Sequence, residues 1–143
     1  MSHRDLELPY SILVADGAAA RRSAIAAIFG AKNHRVVVAT NGKDAFNKAS
    51  AQNFDLVVTG VAMSELDGLE LLGALRKAKP GQLVIVVADG TSKIDATYLR
   101  YAALLGAAGT FHHPLDPRTF LEQAEAIIRR CSPGATGRKA STS

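Results

Sequence analysis

Cysteine is nearly missing from this chain: Cys131 is the only one. No internal disulfide can form, and nothing points to an oxidising compartment. Long apolar runs are missing too. The longest, Leu83 to Ala88, is strand-sized, far below the roughly 18–20 residues of a membrane helix. Arg4, Asp5 and Glu7 stand near the start, where a secretory leader would be apolar, so no signal peptide is expected. Strong charge of one sign is lacking: a formal net charge of +4 is too mild to argue for nucleic-acid binding alone. There is no internal repeat, and no His or Cys cluster with zinc spacing. Gly17, Gly60 and Gly90 fall in three separate loops and form no nucleotide fingerprint. A cytoplasmic protein that engages neither DNA nor membrane is expected.

What the chain does have is enough apolar material for a real core. Its 143 residues are 48% hydrophobic and 21% charged, which suits one globular domain. Ser11–Ala15 lacks polar alternation and reads as a strand buried on both faces. A helix fits from Ala18 to Ala31, a strand at Arg35–Ala39, and a short helix at Lys43–Gln52 after the Asn41-Gly42 turn. Phe54–Thr59 is a third strand, Leu66 to Lys79 a helix stopped by Pro80-Gly81, and Leu83–Ala88 a valine-rich strand. Ser92–Leu105 reads as a helix that Thr91 or Ser92 can cap, Gly109–His112 as a fifth strand, and Pro117 opens a last helix running to Arg130. Such alternation, five β-α units in sequence, predicts an α/β domain with a parallel sheet and helices on both of its faces. The domain is expected at residues 11–131, between an N-terminal extension (1–10) and a disordered tail (132–143). Chemistry in such sheets gathers at the carboxyl ends of the strands. There the residues are Asp16-Gly17, Gly60, Ala88-Asp89 and His112-His113.

Residues 11 to 130 resemble the CheY-like receiver domain of bacterial two-component response regulators. Ile12-Leu13-Val14-Ala15-Asp16-Gly17 looks like the strand that ends in paired acids. Asp55 to Gly68, with its Met63-Ser64-Glu65-Leu66-Asp67-Gly68 turn, looks like the central strand and acceptor loop. Leu83–Ala88, Gly106-Ala107 and His113-Pro114 match later landmarks in order and near-standard spacing. The segment between Ala88 and Gly106 is slightly longer than is usual in the family.

The resemblance implies a flavodoxin-like fold, a doubly wound five-stranded parallel sheet of order 2-1-3-4-5 with five helices, and a chemistry: an aspartate takes a phosphoryl group, neighbouring acids hold magnesium, and a hydroxyl and a lysine contact the phosphoryl oxygens. This chain departs from that pattern at nearly every position. Gly60 stands at the acceptor position, Gly17 replaces one acid, Ala88 the hydroxyl, His113 the lysine, and Thr110 the switch aromatic. Asp16 alone remains, and a single surface carboxylate holds magnesium weakly, so no metal and no cofactor is expected. Thr59 is read as facing a covering helix, and Ser64, Glu65 and Asp89 as ordinary loop residues. Adjacent His112 and His113 point to opposite faces of their strand and cannot share a ligand. His113 is read as a hydrogen-bonded histidine before a turn proline.

The fourth helix carries two apolar stripes. Leu99, Ala102 and Ala103 are aligned toward the sheet. Ile94, Tyr98, Tyr101 and Leu105 form a second stripe about 120° away, which is either core or a contact surface that includes Arg100 and His112. In receivers, the face of the fourth helix, fifth strand and fifth helix generally meets partners or forms dimers. The expected function is a non-enzymatic, phosphorylation-independent signalling adaptor that contacts a protein partner or a second copy. No output domain is expected after the last helix, so any effect is expected to pass through the surface. The alternative is a sensor of small anions or cyclic dinucleotides, using Arg21, Arg22, Arg118, Arg129 and Arg130 as bidentate phosphate ligands.

Overall fold

The computed structural model describes residues 9–131; the expected disordered tail and most of the N-terminal extension lie outside them. Five parallel strands form one sheet in the order β2-β1-β3-β4-β5. In chain order the elements are β1 (Ser11–Ala15), α1 (Ala19–Gly30), β2 (Arg35–Ala39), α2 (Gly42–Ala51) and β3 (Leu56–Gly60). They continue as α3 (Gly68–Ala78), β4 (Val84–Ala88), α4 (Lys93–Leu104), β5 (Gly109–His112) and α5 (Pro117–Cys131). This is the expected flavodoxin-like receiver architecture. No helix among the described residues is long and apolar enough to cross a membrane.

The period of two along each strand divides one apolar run between two cores. Ile12, Val14, Leu56, Val58, Ile85 and Val87 pack with Ile25 and Phe29 of α1 and with Phe120 and Ile128 of α5. The alternate residues Leu13, Val57, Val84 and Val86 pack with Ala45 of α2, Leu71, Leu72 and Leu75 of α3, and Ala102 of α4. Helices therefore cover both sides, and β3 and β4 are buried at every position.

Caps, rather than apolar periodicity, set several boundaries. α3 starts at Gly68, not Leu66. The Asp67 side chain accepts from the Glu70 N–H at 2.8 Å and the Glu70 carboxylate accepts from the Asp67 N–H at 2.9 Å, a reciprocal capping box. Just upstream, Glu65 has φ 73°, a left-handed conformation that no helix continues through. Ser92 caps α4 in the same reciprocal way with Asp95. The end of α4 is a Schellman turn: the Gly106 N–H bonds Ala103 O at 3.1 Å and the Ala107 N–H bonds Ala102 O at 2.9 Å. Gly106 sits at φ 103°, where a Cβ would be strained. Phe54 is a core residue just ahead of β3 instead of its first member.

Two features lay outside the sequence reading. Tyr10, assigned to the N-terminal extension, is 4% exposed and belongs to the core. Beside it lies a buried polar staple. The Tyr10 backbone N–H donates to His34 Nδ1 at 3.0 Å, so His34 Nε2 carries the hydrogen and donates to Glu125 Oε2 at 2.7 Å. The ring also stacks on Tyr10 with centroids 5.2 Å apart. The staple ties the segment between α1 and β2 to α5, across 91 residues of sequence. Removing one partner strands a buried donor. Glu125→Ala is therefore expected to cost about 2 kcal/mol in urea unfolding. Glu125→Gln, which keeps an acceptor, should lose less than half as much; equal losses would show that the hydrogen bond is not what matters.

Candidate functional site

All five strands run the same way, so their carboxyl ends share one edge of the sheet. Asp16 follows β1, Gly60 closes β3, Ala88 closes β4 and His113 follows β5. These residues meet, though not as an open acidic pocket.

Asp16 is 1% exposed and so is not the surface carboxylate expected. The first turn of α1 folds over the end of β1 and encloses it. Its Oδ1 accepts from the Ala18 N–H at 2.9 Å. Arg21 grips both oxygens, Nε donating to Oδ2 and Nη2 to Oδ1, each at 3.3 Å. The same Nη2 lies 3.4 Å from Asp89 Oδ1, beyond β4. Arg22 Nη1 donates to the Asp16 carbonyl at 2.8 Å. A carboxylate at the positive end of a helix, met by a bidentate guanidinium, is well compensated for its burial.

Gly60 is the other side of that arrangement. A Cβ built there would stand 2.8 Å from Asp16 Oδ2 and 3.1 Å from its Cγ. The Asp16 carboxylate thus occupies the space a side chain at position 60 would need. Gly17 is exposed, and a Cβ there would lie 3.3 Å from Ala62 O. Ala88 is fully buried and offers a methyl group; its carbonyl accepts from the His113 N–H at 2.9 Å. The His113 ring departs from expectation: its Nε2 is buried without a hydrogen-bond partner among the described residues. Burial first, and then the positive charge of Arg21, hold its pKa below the ordinary histidine value, against the opposing pull of Asp16 and Asp89. His112 is exposed, with Nδ1 3.1 Å from His113 O, so the two rings have separate surroundings. Thr59 is buried and its hydroxyl donates to Gly60 O at 2.9 Å. Ser64 and Glu65 are exposed loop residues.

The five arginines weighed as anion ligands do not come together. Arg21 and Arg22 are engaged at the strand ends. Arg118 pairs with Glu122 at 3.5 Å on the outer start of α5. Arg129 and Arg130 are in the last turn of α5, about 16 Å further along the helix axis at 1.5 Å per residue.

The two stripes of α4 are only partly separate. Ala102 is its one buried residue, and Leu99 and Tyr98 lean on the core. Ala103, aligned toward the sheet by sequence, is exposed, because α4 is rotated about its axis relative to that alignment. Ile94 is 70% exposed, Tyr101 56%, Leu104 77% and Leu105 45%. Leu104 was not part of the expected stripe. An open groove of about 530 Å³ is lined by Leu69, Ile94, Tyr98 and Tyr101 together with Asp67, Lys93 and Thr97. Arg100 is exposed nearby.

The tight approach at Gly60 has a measurable consequence. Gly60→Ala should destabilise by about 1–3 kcal/mol, the usual cost of overpacking. Gly73→Ala, in α3 with nothing within 4 Å of its Cβ, should instead gain a few tenths to about 1 kcal/mol. Urea midpoints of the two variants check this; a neutral Gly60→Ala would mean that Asp16 is free to move aside.

Residues 12–125 match the response regulator receiver domain family. The alkaline phosphatase synthesis transcriptional regulatory protein PhoP of Bacillus subtilis is 33% identical over 96 residues, 66% of this chain and 38% of that protein. The probable transcriptional regulator ycf27 of Guillardia theta is 26% identical over 139 residues, 97% of this chain and 53% of that one. The chain thus spans about half or less of the length of these curated relatives. Among solved structures, the receiver domain of Francisella response regulator 1452 superposes with a TM-score of 0.77 at 24% identity, covering 85% of this chain and 98% of that one. The CheY-like receiver domain protein of Methanospirillum hungatei JF-1 gives a TM-score of 0.73 at 24% identity, covering 83% and 93%. These structural likenesses bear on the fold. Together with a family match that runs from β1 into α5, they show that this chain belongs to the response regulator receiver domain family, the signal-transduction modules of two-component systems.

Proposed function

We propose that this receiver domain works without phosphorylation, as an adaptor that signals through protein contacts on α4 and the adjoining β5 edge. One observation carries the reading: at the end of β3, Gly60 supplies no side chain and the space for one is filled by the Asp16 carboxylate. A phosphoryl acceptor must present a free nucleophilic oxygen to its donor. The Asp16 oxygens are buried and held by Arg21 and the Ala18 N–H. Ala88 has no hydroxyl to hold a phosphoryl oxygen, and His113 replaces an ammonium with an imidazole whose pKa is depressed.

The contact face is supported by Ile94, Tyr101, Leu104 and Leu105, all large, apolar and exposed, with Arg100 exposed on the same helix and His112 exposed at the end of β5. Tyrosine and arginine are the side chains most enriched at interface hot spots. The partner is a protein of a bacterial signalling pathway, or a second copy of this chain, met in the cytoplasm. No catalytic turnover and no cofactor enter this reading.

Partner capture from the source cells, with and without acetyl phosphate and Mg²⁺, tests both halves together. Intact-mass measurement should find no phosphoprotein, and the captured set should be the same in both conditions. A Tyr101→Ala/Leu104→Ala variant should lose that set while keeping its urea midpoint. A phosphorylated species, or capture that depends on acetyl phosphate, overturns the proposal.

A further inference from the structure

We infer that the Arg21 guanidinium is a resident cation at the strand ends, and that it keeps divalent ions out of the site formed by Asp16 and Asp89. The two carboxylates come from different elements, one at the end of β1 and one beyond β4. The same guanidinium nitrogen, Nη2, approaches both, 3.3 Å from Asp16 Oδ1 and 3.4 Å from Asp89 Oδ1. Nε takes the remaining Asp16 oxygen, and the Ala18 N–H adds a further donor to Oδ1. Every Asp16 carboxylate oxygen therefore already faces a donor.

A magnesium-sized ion needs near-octahedral oxygen ligation at about 2.0–2.1 Å. To reach Asp16 it would have to displace Arg21, or sit against the positive charge of its guanidinium. Among the described residues, no group of three or more His, Cys, Asp or Glu side chains is placed to hold a metal ion, so few further oxygens stand ready to offset that repulsion. A covalently attached cation cannot dissociate, and its contacts do not follow the ion supply. Through Asp89 it also ties α1 to the loop that leads into the Ser92–Asp95 cap of α4.

The inference deepens the proposed function by naming what takes the ion's part, and its test is separate. Mn²⁺ is titrated into the isotope-labelled protein and paramagnetic broadening is read at the amides of Gly17, Ala18 and Gly90. Wild type should show no site-specific broadening. Arg21→Ala and the size-conserving Arg21→Gln should each broaden these amides, at Mn²⁺ concentrations at least about tenfold lower than any effect on wild type. Mg²⁺ should reverse the broadening, and adding Asp89→Asn should weaken it. Equal broadening in wild type, or none in either variant, overturns the inference and leaves the capture result standing.

Discussion

A carboxylate taken out of water costs several kcal/mol unless donors and a counter-charge meet it. Asp16 stands at the end of β1, flanked by β2 and β3 and 1% exposed, so its partners have to come from elements folded over it. Arg21 supplies the charge from the first turn of α1, and the Ala18 N–H supplies a backbone donor. That compensation adds a polar anchor to the apolar seat of α1, which is made by Ile25 and Phe29. The same guanidinium also reaches Asp89 in the loop after β4, at 3.4 Å. Gly60 obeys the same constraint, since the carboxylate takes the space its side chain would need.

The parallel sheet makes this coupling possible. Strands buried on both faces leave their polar chemistry only at the ends, and every end here carries a residue that faces inward or is engaged. α4 is the exception among the covering helices. It is anchored by Ala102 and partly by Tyr98 and Leu99, while its outer surface carries Ile94, Tyr101, Leu104 and Leu105.

The parallel sheet and its five helices were legible because apolar runs without alternation, separated by helical periodicity, admit few other arrangements; the strand order came with the family resemblance. Gly106-Ala107 was legible only as a landmark of the resemblance; its physical reason, a helix end at φ 103°, came with the structure. What escaped the sequence depended on contacts distant in sequence or on orientation. Nothing local marks Asp16 as buried, since its cover comes from a turn whose arginine could equally have faced solvent. His34 and Glu125 are 91 residues apart, and no periodicity links them. The start of α3 was misread because Leu66 fits the apolar pattern while the capping box at Asp67 and Glu70 decides the boundary. On α4, a modest rotation exchanged the places of Ala103 and Tyr98.

The most direct measurement is a double-mutant cycle on Asp16 and Arg21. Urea unfolding of Asp16→Asn, Arg21→Gln and the double variant isolates the coupling between the two side chains. A coupling of about 1 kcal/mol or more is expected for a bidentate pair with one partner buried. Purely additive losses would contradict the view that this pair holds the strand ends together.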